Sequence, residues 1–192
     1  FLEFLRELSI ECHKNNLVVS VDNPVPEDFT SHYDRKEQGL VVDYVIIMGY
    51  DEHYVGSDAG SVASLPWVEQ GVQDTIAEVT PERTILAIPF YTRLWKTTGG
   101  AVTSEAIGMD EAQNVLSTNG VEVAWDGSVG QNYATFEQDN STYQIWLEDA
   151  QSIAEKVKLI QKYNLAGVAQ WKLGFENSSI WQTISDNLQA AS

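Results

Sequence analysis

The sequence predicts an α/β fold that amounts to half of a (β/α)8 barrel, and three observations support this. Short, almost uninterrupted apolar runs such as Val41 to Met48 are typical of strands buried on both faces of a parallel sheet. Segments with helical periodicity lie between these runs, so strands and helices alternate. Four such units are present, whereas a complete barrel has eight in roughly 200–250 residues. A self-sufficient doubly wound domain of four strands is the alternative, but its G-x-G-x-x-G fingerprint does not occur in the sequence.

The elements of this barrel part follow from periodicity and from turn residues. A first helix extends through about Lys14, and a short strand, Leu17 to Val21, is stopped by Asp22-Asn23-Pro24. The stretch from Phe29 to Gln38 is weakly helical and stops at Gly39. The remaining predicted elements are, in chain order, a strand at Val41–Met48, a helix at Pro66–Val79, a strand at Thr84–Ile88, a helix at Asp149–Tyr163, a strand at Ala166–Trp171 and a closing helix at Ile180–Ala190.

Residues 91–147 contain most of the polar alternation of the chain and are predicted to form a small α+β insertion. The barrel part comprises 1–90 and 148–192. The segment holds one helical piece, Asp110 to Ser117, with acidic residues in its first turn. Around it are three strand-like pieces at Val121–Trp125, Tyr133–Glu137 and Thr142–Leu147, separated by turn dipeptides such as Asn119-Gly120.

The charge of the chain excludes several classes of function. With 11 Lys and Arg against 28 Asp and Glu, the formal net charge is −17. Such an anionic surface repels phosphate backbones and anionic lipid faces, so neither a nucleic acid nor a membrane is an expected partner. The three histidines lie far apart with no zinc-binding spacing, so we expect neither a metal nor a cofactor.

The first residues indicate that the chain is cut from a larger protein. Phe1 already belongs to a segment with helical periodicity, and the sequence starts with neither an initiator Met nor a secretory leader pattern. The single cysteine, Cys12, excludes an intrachain disulfide and leaves the compartment undecided.

Aromatic and acidic residues follow the predicted strands at their carboxyl ends, which form the catalytic face of a parallel barrel. The second strand leads into Tyr50-Asp51, the third into Tyr91-Thr92-Arg93, and the fourth ends at Trp171. Aromatic planes stack on the C–H faces of sugar rings, and carboxylates accept hydrogen bonds from hydroxyls. The residues therefore suggest a carbohydrate site, although the same aromatics could instead fill the top layer of the barrel.

Three segments resemble glycoside hydrolase family 18, the chitinase-type barrels. The string Met48-Gly49-Tyr50-Asp51 is similar to the family's M-x-Y-D motif, and the segment from Ile88 to Trp95 resembles G-x-P-F-Y-G-R with Thr92 in place of glycine. The segments from Trp146 to Ile153 and from Gly167 to Trp171 resemble the run into the eighth strand. The resemblance covers the whole chain as strands 5–8, with the insertion between strands 7 and 8. It looks closest to bacterial spore-cortex and cell-wall N-acetylglucosaminidases.

The resemblance implies an activity and residue roles. Family members cleave β-1,4 bonds beside N-acetylglucosamine with retention, using the substrate's own acetamido carbonyl as nucleophile. Tyr50 then holds the acetamido group and Asp51 is its polar neighbour. Met48 packs beneath the site, Trp171 is the platform under the sugar, and Glu148 lies near the predicted face. The expected substrate-binding residues are Met48, Tyr91, Arg93, Trp171 and Glu148.

The family's general acid, the glutamate of D-x-x-D-x-E, has no counterpart in the sequence. We expect it upstream of Phe1 and expect the fragment alone to be inactive. Glu52 and Glu148 are weak candidates to replace it. Two other classes stay open: a lectin-like barrel that binds sugar without cleaving it, and an α/β interaction module whose aromatics are only core.

The remaining expectations concern partners and location. The partner is a polysaccharide containing N-acetylglucosamine, and the protein is expected to be secreted or associated with a cell wall or spore, in a bacterium. Four strands taken from a closed barrel have two edge strands with unpaired backbone N–H and C=O groups. The fragment is therefore expected to associate with itself or with the missing N-terminal half. Residues expected to face inward, on one alternation or the other, include Val19, Val45, Ile47, Leu86 and Val168.

Overall fold

The computed structural model describes residues 1–189 and consists of nine strands, six α-helices and two short 3-10 helices in that range. In chain order the elements are α1 (Leu2–Lys14), β1 (Ser20–Pro24), a 3-10 helix (Asp28–Tyr33), α2 (Arg35–Val41), β2 (Tyr44–Met48), α3 (Leu65–Ile76), a 3-10 helix (Pro81–Arg83), β3 (Thr84–Pro89), β4 (Tyr91–Thr98), β5 (Ala101–Gly108), α4 (Met109–Asn119), β6 (Ala124–Asp126), β7 (Gln131–Gln138), β8 (Ser141–Leu147), α5 (Ala150–Lys162), β9 (Gly167–Trp171) and α6 (Ile180–Gln189).

Four strands form a parallel sheet in the order β1-β2-β3-β9, and helices connect or flank them. This arrangement confirms the predicted α/β class. The other five strands form an antiparallel sheet in the order β5-β4-β8-β7-β6, and all of them fall between residues 91 and 147. The two strands that join the sheets, β3 and β4, are separated only by Phe90, so the antiparallel sheet begins where the third parallel strand ends.

One face of the parallel sheet packs against helices. A core cluster that includes Leu86 and Ile88 of β3 joins α3, α5 and α6, and a second cluster joins β1 and β2 to α1 and α2. Val45 and Ile47 belong to the second cluster and are fully buried there. The apolar alternation of these strands therefore faces the helices.

The opposite face of the parallel sheet, called here the open face, has a different composition. Register pairing places Asp22 beside Ile46 and Ile85, and places Met48 beside Ala87, which in turn pairs with Ala169. The residues that the sequence predicts to face the interior of the barrel therefore lie on the other face of the sheet. Val19, Val45, Ile47 and Leu86 are buried on the helix side, and Val168 packs against the same cluster as Leu86. The period of two allows either choice, and helix packing decides it.

Several element boundaries differ from the sequence-based expectation. The first strand is Ser20–Pro24 rather than Leu17–Val21, so it includes the residues expected to end it. The single helix expected over Phe29–Gln38 is a 3-10 helix followed by α2, which runs through Gly39. A Cβ at Gly39 would lie 3.0 Å from Cγ1 of Val79, so this glycine permits close packing instead of ending the helix.

The second strand begins at Tyr44 rather than Val41, which lies in α2. In the insertion, the sequence pattern does not predict the hairpin of β4 and β5, and the piece expected at Val121–Trp125 is the three-residue β6. The insertion helix α4 packs on the antiparallel sheet through Ala112 and Leu116. The expected end of the closing helix at Ala190 lies outside the described residues.

Candidate functional site

Tyr50 and Asp51 follow β2 immediately, at the carboxyl edge of the parallel sheet. The preceding Gly49 lets the backbone approach β3, because a Cβ there would lie 3.0 Å from the carbonyl oxygen of Ala87. Asp51 has a φ of 67°, in the left-handed region that aspartate tolerates better than most residues. The chain therefore turns sharply after the strand, leaving the Asp51 side chain exposed and the Tyr50 ring half-buried.

Tyr91, the first residue of β4, meets the end of β2 across the site. Its hydroxyl donates to Oδ1 of Asp51 over 2.5 Å, and its ring packs edge-to-face on Tyr50 with centroids 6.1 Å apart. This joins two residues that are 40 positions apart in sequence. The hydrogen bond occupies one carboxylate oxygen of Asp51 and orients the group.

Both tyrosine hydroxyls are held in their protonated form. Burial, with the charges of Asp22 and Asp51 adding to it, raises the pKa of Tyr50 to about 12. Burial and the hydrogen bond to Asp51 also raise the pKa of Tyr91. Both phenols are therefore neutral at physiological pH, and the hydroxyl of Tyr50 is available as a hydrogen-bond donor to a ligand.

Arg93 lies two residues along β4 and on the same side of the insertion sheet as Tyr91. Its Nη1 donates to Oγ of Ser104 over 3.0 Å. Its buried Nε has no hydrogen-bond partner among the described residues. Arg93 as a whole is only partly buried, so guanidinium N–H groups other than this Nε can donate to a ligand that enters beside Asp51.

Trp171 ends β9 of the parallel sheet, and it is 54% exposed. The strand is fixed next to it, because the backbone N–H of Phe90 donates to the carbonyl of Trp171 over 2.7 Å. A rigid backbone with an open indole face is the arrangement expected of a stacking platform.

Three adjoining pockets form one cleft around these residues, with volumes of about 210, 170 and 150 Å³. Asp51, Tyr91, Arg93 and Trp171 line the first pocket. Trp171 continues into the second, which also has Met48 and Tyr50 in its wall, and those two residues are shared with the third. Six of the seven site residues expected from the sequence therefore line the cleft: Met48, Tyr50, Asp51, Tyr91, Arg93 and Trp171.

Glu148 is the exception, and its expected contact with substrate is corrected. Its side chain has no exposed surface, and both carboxylate oxygens bind Nζ of the equally buried Lys156, at 2.9 and 3.0 Å. Ser152 and Gln131 donate to the same carboxylate over 2.8 Å each. Burial raises the pKa of Glu148, and the contacts with Lys156 and Ser152 oppose that rise. The group can reach no ligand and instead holds the insertion against α5.

The hydrogen bonds around Glu148 extend through Gln131 to the loop that follows Asp51. The hydroxyl of Ser61 donates to the amide oxygen of Gln131, and the indole N–H of Trp95 donates to the carbonyl of Gly60 over 2.8 Å. Nearer to Asp51, the Glu52 carboxylate accepts hydrogen bonds from Ser64. The insertion therefore holds the loop from several points, and Glu52 is engaged within it rather than free for proton transfer.

One acidic residue of the cleft was missed by sequence reasoning. Asp22 lines the second pocket together with Tyr50 and Trp171. The sequence pattern predicts that it ends the first strand, whereas it lies in the middle of β1. The sequence carries a partial signal, because the apolar residues Val19 and Val21 alternate with the polar residues Ser20 and Asp22.

The described residues offer neither a metal site nor a membrane-spanning helix. Among the described residues, no group of three or more His, Cys, Asp and Glu side chains is arranged to hold a metal ion. In the same part of the chain, no helix has both the length and the apolar character needed to cross a membrane.

Comparison with known proteins gives a consistent result. The family model described as "Glycosyl hydrolases family 18" matches residues 1–176. An uncharacterized glycosylase of Bacillus subtilis, YvbX, is 25% identical over 96% of this chain and 55% of its own length. The cortical fragment-lytic enzyme of the same organism is also 25% identical, over 96% of this chain and 45% of its own length.

Among solved structures, the chitinase of Chromobacterium violaceum superimposes with a TM-score of 0.90 at 25% identity. The match covers 98% of this chain and 61% of the chitinase chain. The chain thus spans about half the length of the curated relatives that it matches.

The structural role of the buried pair of Glu148 and Lys156 can be tested by removing its cation. We expect Lys156→Met to lower the free energy of unfolding by about 3–5 kcal/mol, because it leaves the Glu148 carboxylate buried without its cation. Urea denaturation followed by circular dichroism measures this loss.

The control is the double variant Glu148→Leu/Lys156→Met, which removes both charges. It should be markedly more stable than Lys156→Met alone, since no unpaired charge remains. If the double variant is no more stable than Lys156→Met alone, the carboxylate and the ammonium group do not form a structural pair.

Proposed function

The chain belongs to family 18 of the glycosyl hydrolases, and from this membership we propose that it forms the substrate-holding part of an enzyme that cleaves β-1,4 bonds in polymers containing N-acetylglucosamine. One observation carries the proposal. Tyr50, Asp51 and Trp171, together with Tyr91 and Arg93, come from three separate strand ends and line a single cleft at the carboxyl edge of a parallel sheet. The carboxyl edge is where enzymes with parallel α/β barrels place their active sites.

Each residue has a role in this proposal that follows from its chemistry. The neutral hydroxyl of Tyr50 donates to the acetamido oxygen of the bound sugar, which acts as the nucleophile. Asp51 carries a negative charge beside that group and stabilises the positive charge that develops on it. Trp171 stacks under the sugar ring, and Arg93 donates to its hydroxyls. Met48 packs beneath the acetamido site in the floor of the cleft.

We also propose that the general acid is supplied from outside the 192 residues. The D-x-x-D-x-E string does not occur in the sequence. Glu52 is bonded to Ser64, and Glu148 is buried against Lys156, so neither is placed to protonate a leaving group. In this proposal β1, β2, β3 and β9 act as strands 5–8 of an eight-stranded barrel, with residues 91–147 as an insertion between the last two. The preceding strands then carry the acid.

The proposed substrate class and location are supported by the relatives. We propose chitin, peptidoglycan or spore cortex as the substrate, and the names of two relatives, a chitinase and a cortical fragment-lytic enzyme, support this choice. We propose a secreted protein, or one associated with a cell wall or spore. A sugar-binding barrel without hydrolytic activity is the competing outcome, and a hydrolysis assay on the protein with its preceding strands separates the two.

The proposed stacking platform is tested by Trp171→Ala. In the protein with its preceding strands, we expect the binding free energy for tri-N-acetylchitotriose to weaken by about 1–3 kcal/mol, the range of an aromatic anchor. The folding stability should change little, because the ring is mostly exposed. Isothermal titration calorimetry and thermal melting measure the two quantities.

Trp125→Ala in the insertion is the matched control, since this indole is 40% exposed and lies outside the cleft. It should leave the affinity for the trisaccharide unchanged. Equal losses of affinity in the two variants, or no loss in Trp171→Ala, would contradict the assigned cleft.

Tyr50→Phe tests the hydroxyl donor. The ring contact with Tyr91 is retained, so only one hydrogen bond is lost, and binding of the trisaccharide should weaken by about 0.5–1.5 kcal/mol. In the protein with its preceding strands, turnover should fall by more than binding does, because the acetamido group becomes charged during the reaction. Tyr54→Phe, at an exposed tyrosine of the following loop, is the control. Equal small losses in binding and turnover would argue against the role.

The isolated chain should associate at micromolar concentration. Within the described residues, β1 and β9 each pair with one neighbour only, so both carry an unpaired edge. Near β1 the side chains of Leu17 and Val18 are 57% and 70% exposed. Light scattering should therefore detect dimers or larger species, and Leu17→Lys should reduce them, whereas Val123→Lys in the insertion should not. A monodisperse 21.4 kDa species would exclude such association.

A further inference from the structure

The loop between β2 and α3, residues 52–64, begins directly after Asp51 and is closed by hydrogen bonds between its own two ends. The backbone N–H of Glu52 donates to the carbonyl of Val62 over 3.0 Å. The Glu52 carboxylate accepts from both the backbone N–H and the hydroxyl of Ser64, over 2.7 and 2.9 Å. Because Ser64 directly precedes α3, Glu52 ties the residue after Asp51 to the start of a helix.

The insertion holds the same loop from the side. Trp95 of β4 is buried, and its indole N–H donates to the carbonyl of Gly60 over 2.8 Å. The amide oxygen of Gln131 accepts from the hydroxyl of Ser61. The next residue, Val62, is buried in the core cluster that joins α3 and α5. These contacts give the end of the loop that binds Glu52 one fixed position.

The direction of the Asp51 side chain depends on the turn that precedes this loop. Asp51 has a φ of 67°, and a residue other than glycine stays in this region only where its surroundings hold it. Within residues 1–189, the hydroxyl of Tyr91 is the one hydrogen-bond donor to the Asp51 carboxylate. A change of backbone angle at Asp51 would swing the carboxylate away from Tyr91. The adjoining residue, Glu52, is bonded at both its backbone and its side chain, which opposes such a change.

We propose that Glu52 is a positioning residue, which acts through Asp51 by holding the turn that keeps the Asp51 carboxylate against Tyr91 and beside the bound acetamido group. The inference rests on the function proposed above and deepens it by adding a residue that supports the reaction without touching the substrate. Glu52 acts through hydrogen bonds, since no salt bridge joins it to a cation in the described part of the chain. A glutamine amide can make the same two contacts, because its oxygen accepts from the N–H of Ser64 and its nitrogen donates to the Ser64 hydroxyl.

The test measures hydrolysis of the 4-nitrophenyl glycoside of N,N′-diacetylchitobiose by the protein with its preceding strands. In Glu52→Ala, kcat should fall by about ten- to a hundredfold while KM changes by less than about threefold. The reason is that Asp51 acts on charge that develops in the transition state, so its misplacement affects turnover more than binding. Glu52→Gln should keep kcat within about threefold of the unmodified protein, because both contacts with Ser64 remain.

The conservative variant separates positioning from proton donation. A general acid at this position would fail in Glu52→Gln as fully as in Glu52→Ala, because an amide has no proton to give to a leaving group. Equal losses of kcat in the two variants would therefore overturn the inference. An unchanged kcat in Glu52→Ala, or a raised KM with an unchanged kcat, would overturn it as well.

Glu137→Ala is the matched control, because this glutamate also accepts a hydrogen bond from a hydroxyl, that of Thr142 over 2.7 Å. It lies at an exposed position of β7 outside the cleft, so kcat and KM should both stay unchanged. Circular dichroism and thermal melting check that each variant folds. If Glu52→Ala does not fold, Ser64→Ala gives a milder form of the test. It removes the hydroxyl contact alone and should lower kcat by a smaller factor at unchanged KM.

A double variant shows whether Glu52 acts through Asp51. Tyr91→Phe removes the hydrogen bond to Asp51 directly, so Glu52→Ala/Tyr91→Phe should lose little more turnover than the more damaging single variant. Losses of kcat that multiply would mean that Glu52 and Tyr91 act independently, and the inference would be wrong.

A spectroscopic measurement follows Asp51 without any substrate. The hydroxyl proton of Tyr91 lies in a short bond to a carboxylate, so it should give a downfield proton NMR signal that Tyr91→Phe removes. Glu52→Ala should weaken or abolish this signal, whereas Glu52→Gln should keep it. An unchanged signal in Glu52→Ala would overturn the inference. If the unmodified protein does not hydrolyse the glycoside, the proposed function fails, and the NMR signal still decides whether Glu52 positions Asp51.

Discussion

The parallel register of β1, β2, β3 and β9 is the constraint on which the rest of the structure depends. Because these strands run in the same direction, their carboxyl ends meet at one edge of the sheet, and the residues that follow them converge. Tyr50, Tyr91 and Trp171 are distant in sequence, yet each lies at or just past the end of a neighbouring strand. A strand shifted by one residue would turn its cleft side chain towards the helices and break the constellation.

The insertion contributes more than additional surface. It begins directly after β3, so its first strand carries Tyr91 and Arg93 into the cleft. Gln131 and Trp95 then hold the loop after Asp51 from the side. The buried contact of Glu148 with Lys156 anchors the same sheet to α5. A buried ion pair is weak evidence of net stability, but it defines one relative position of the groups that meet there.

The electrostatics of the cleft are built from tyrosines and carboxylates in a small space. Burial keeps Tyr50 and Tyr91 protonated, so they act as donors beside groups that can only accept. Asp51 is oriented by Tyr91, whereas Asp22 has no protein donor in the described part of the chain. The Asp51 carboxylate is therefore fixed by a hydrogen bond from the neighbouring strand end.

The sequence by itself determined the α/β class, the order of the main elements and six residues of the cleft, since these depend on local patterns. Apolar runs mark the buried strands, and Met48, Tyr50 and Asp51 form a contiguous motif at a strand end. Tertiary structure alone decided which alternation faces the helices, because a period of two permits both choices. It also moved the first strand to include Asp22 and buried Glu148 against Lys156. These outcomes depend on contacts between segments far apart in the chain, which no local pattern encodes.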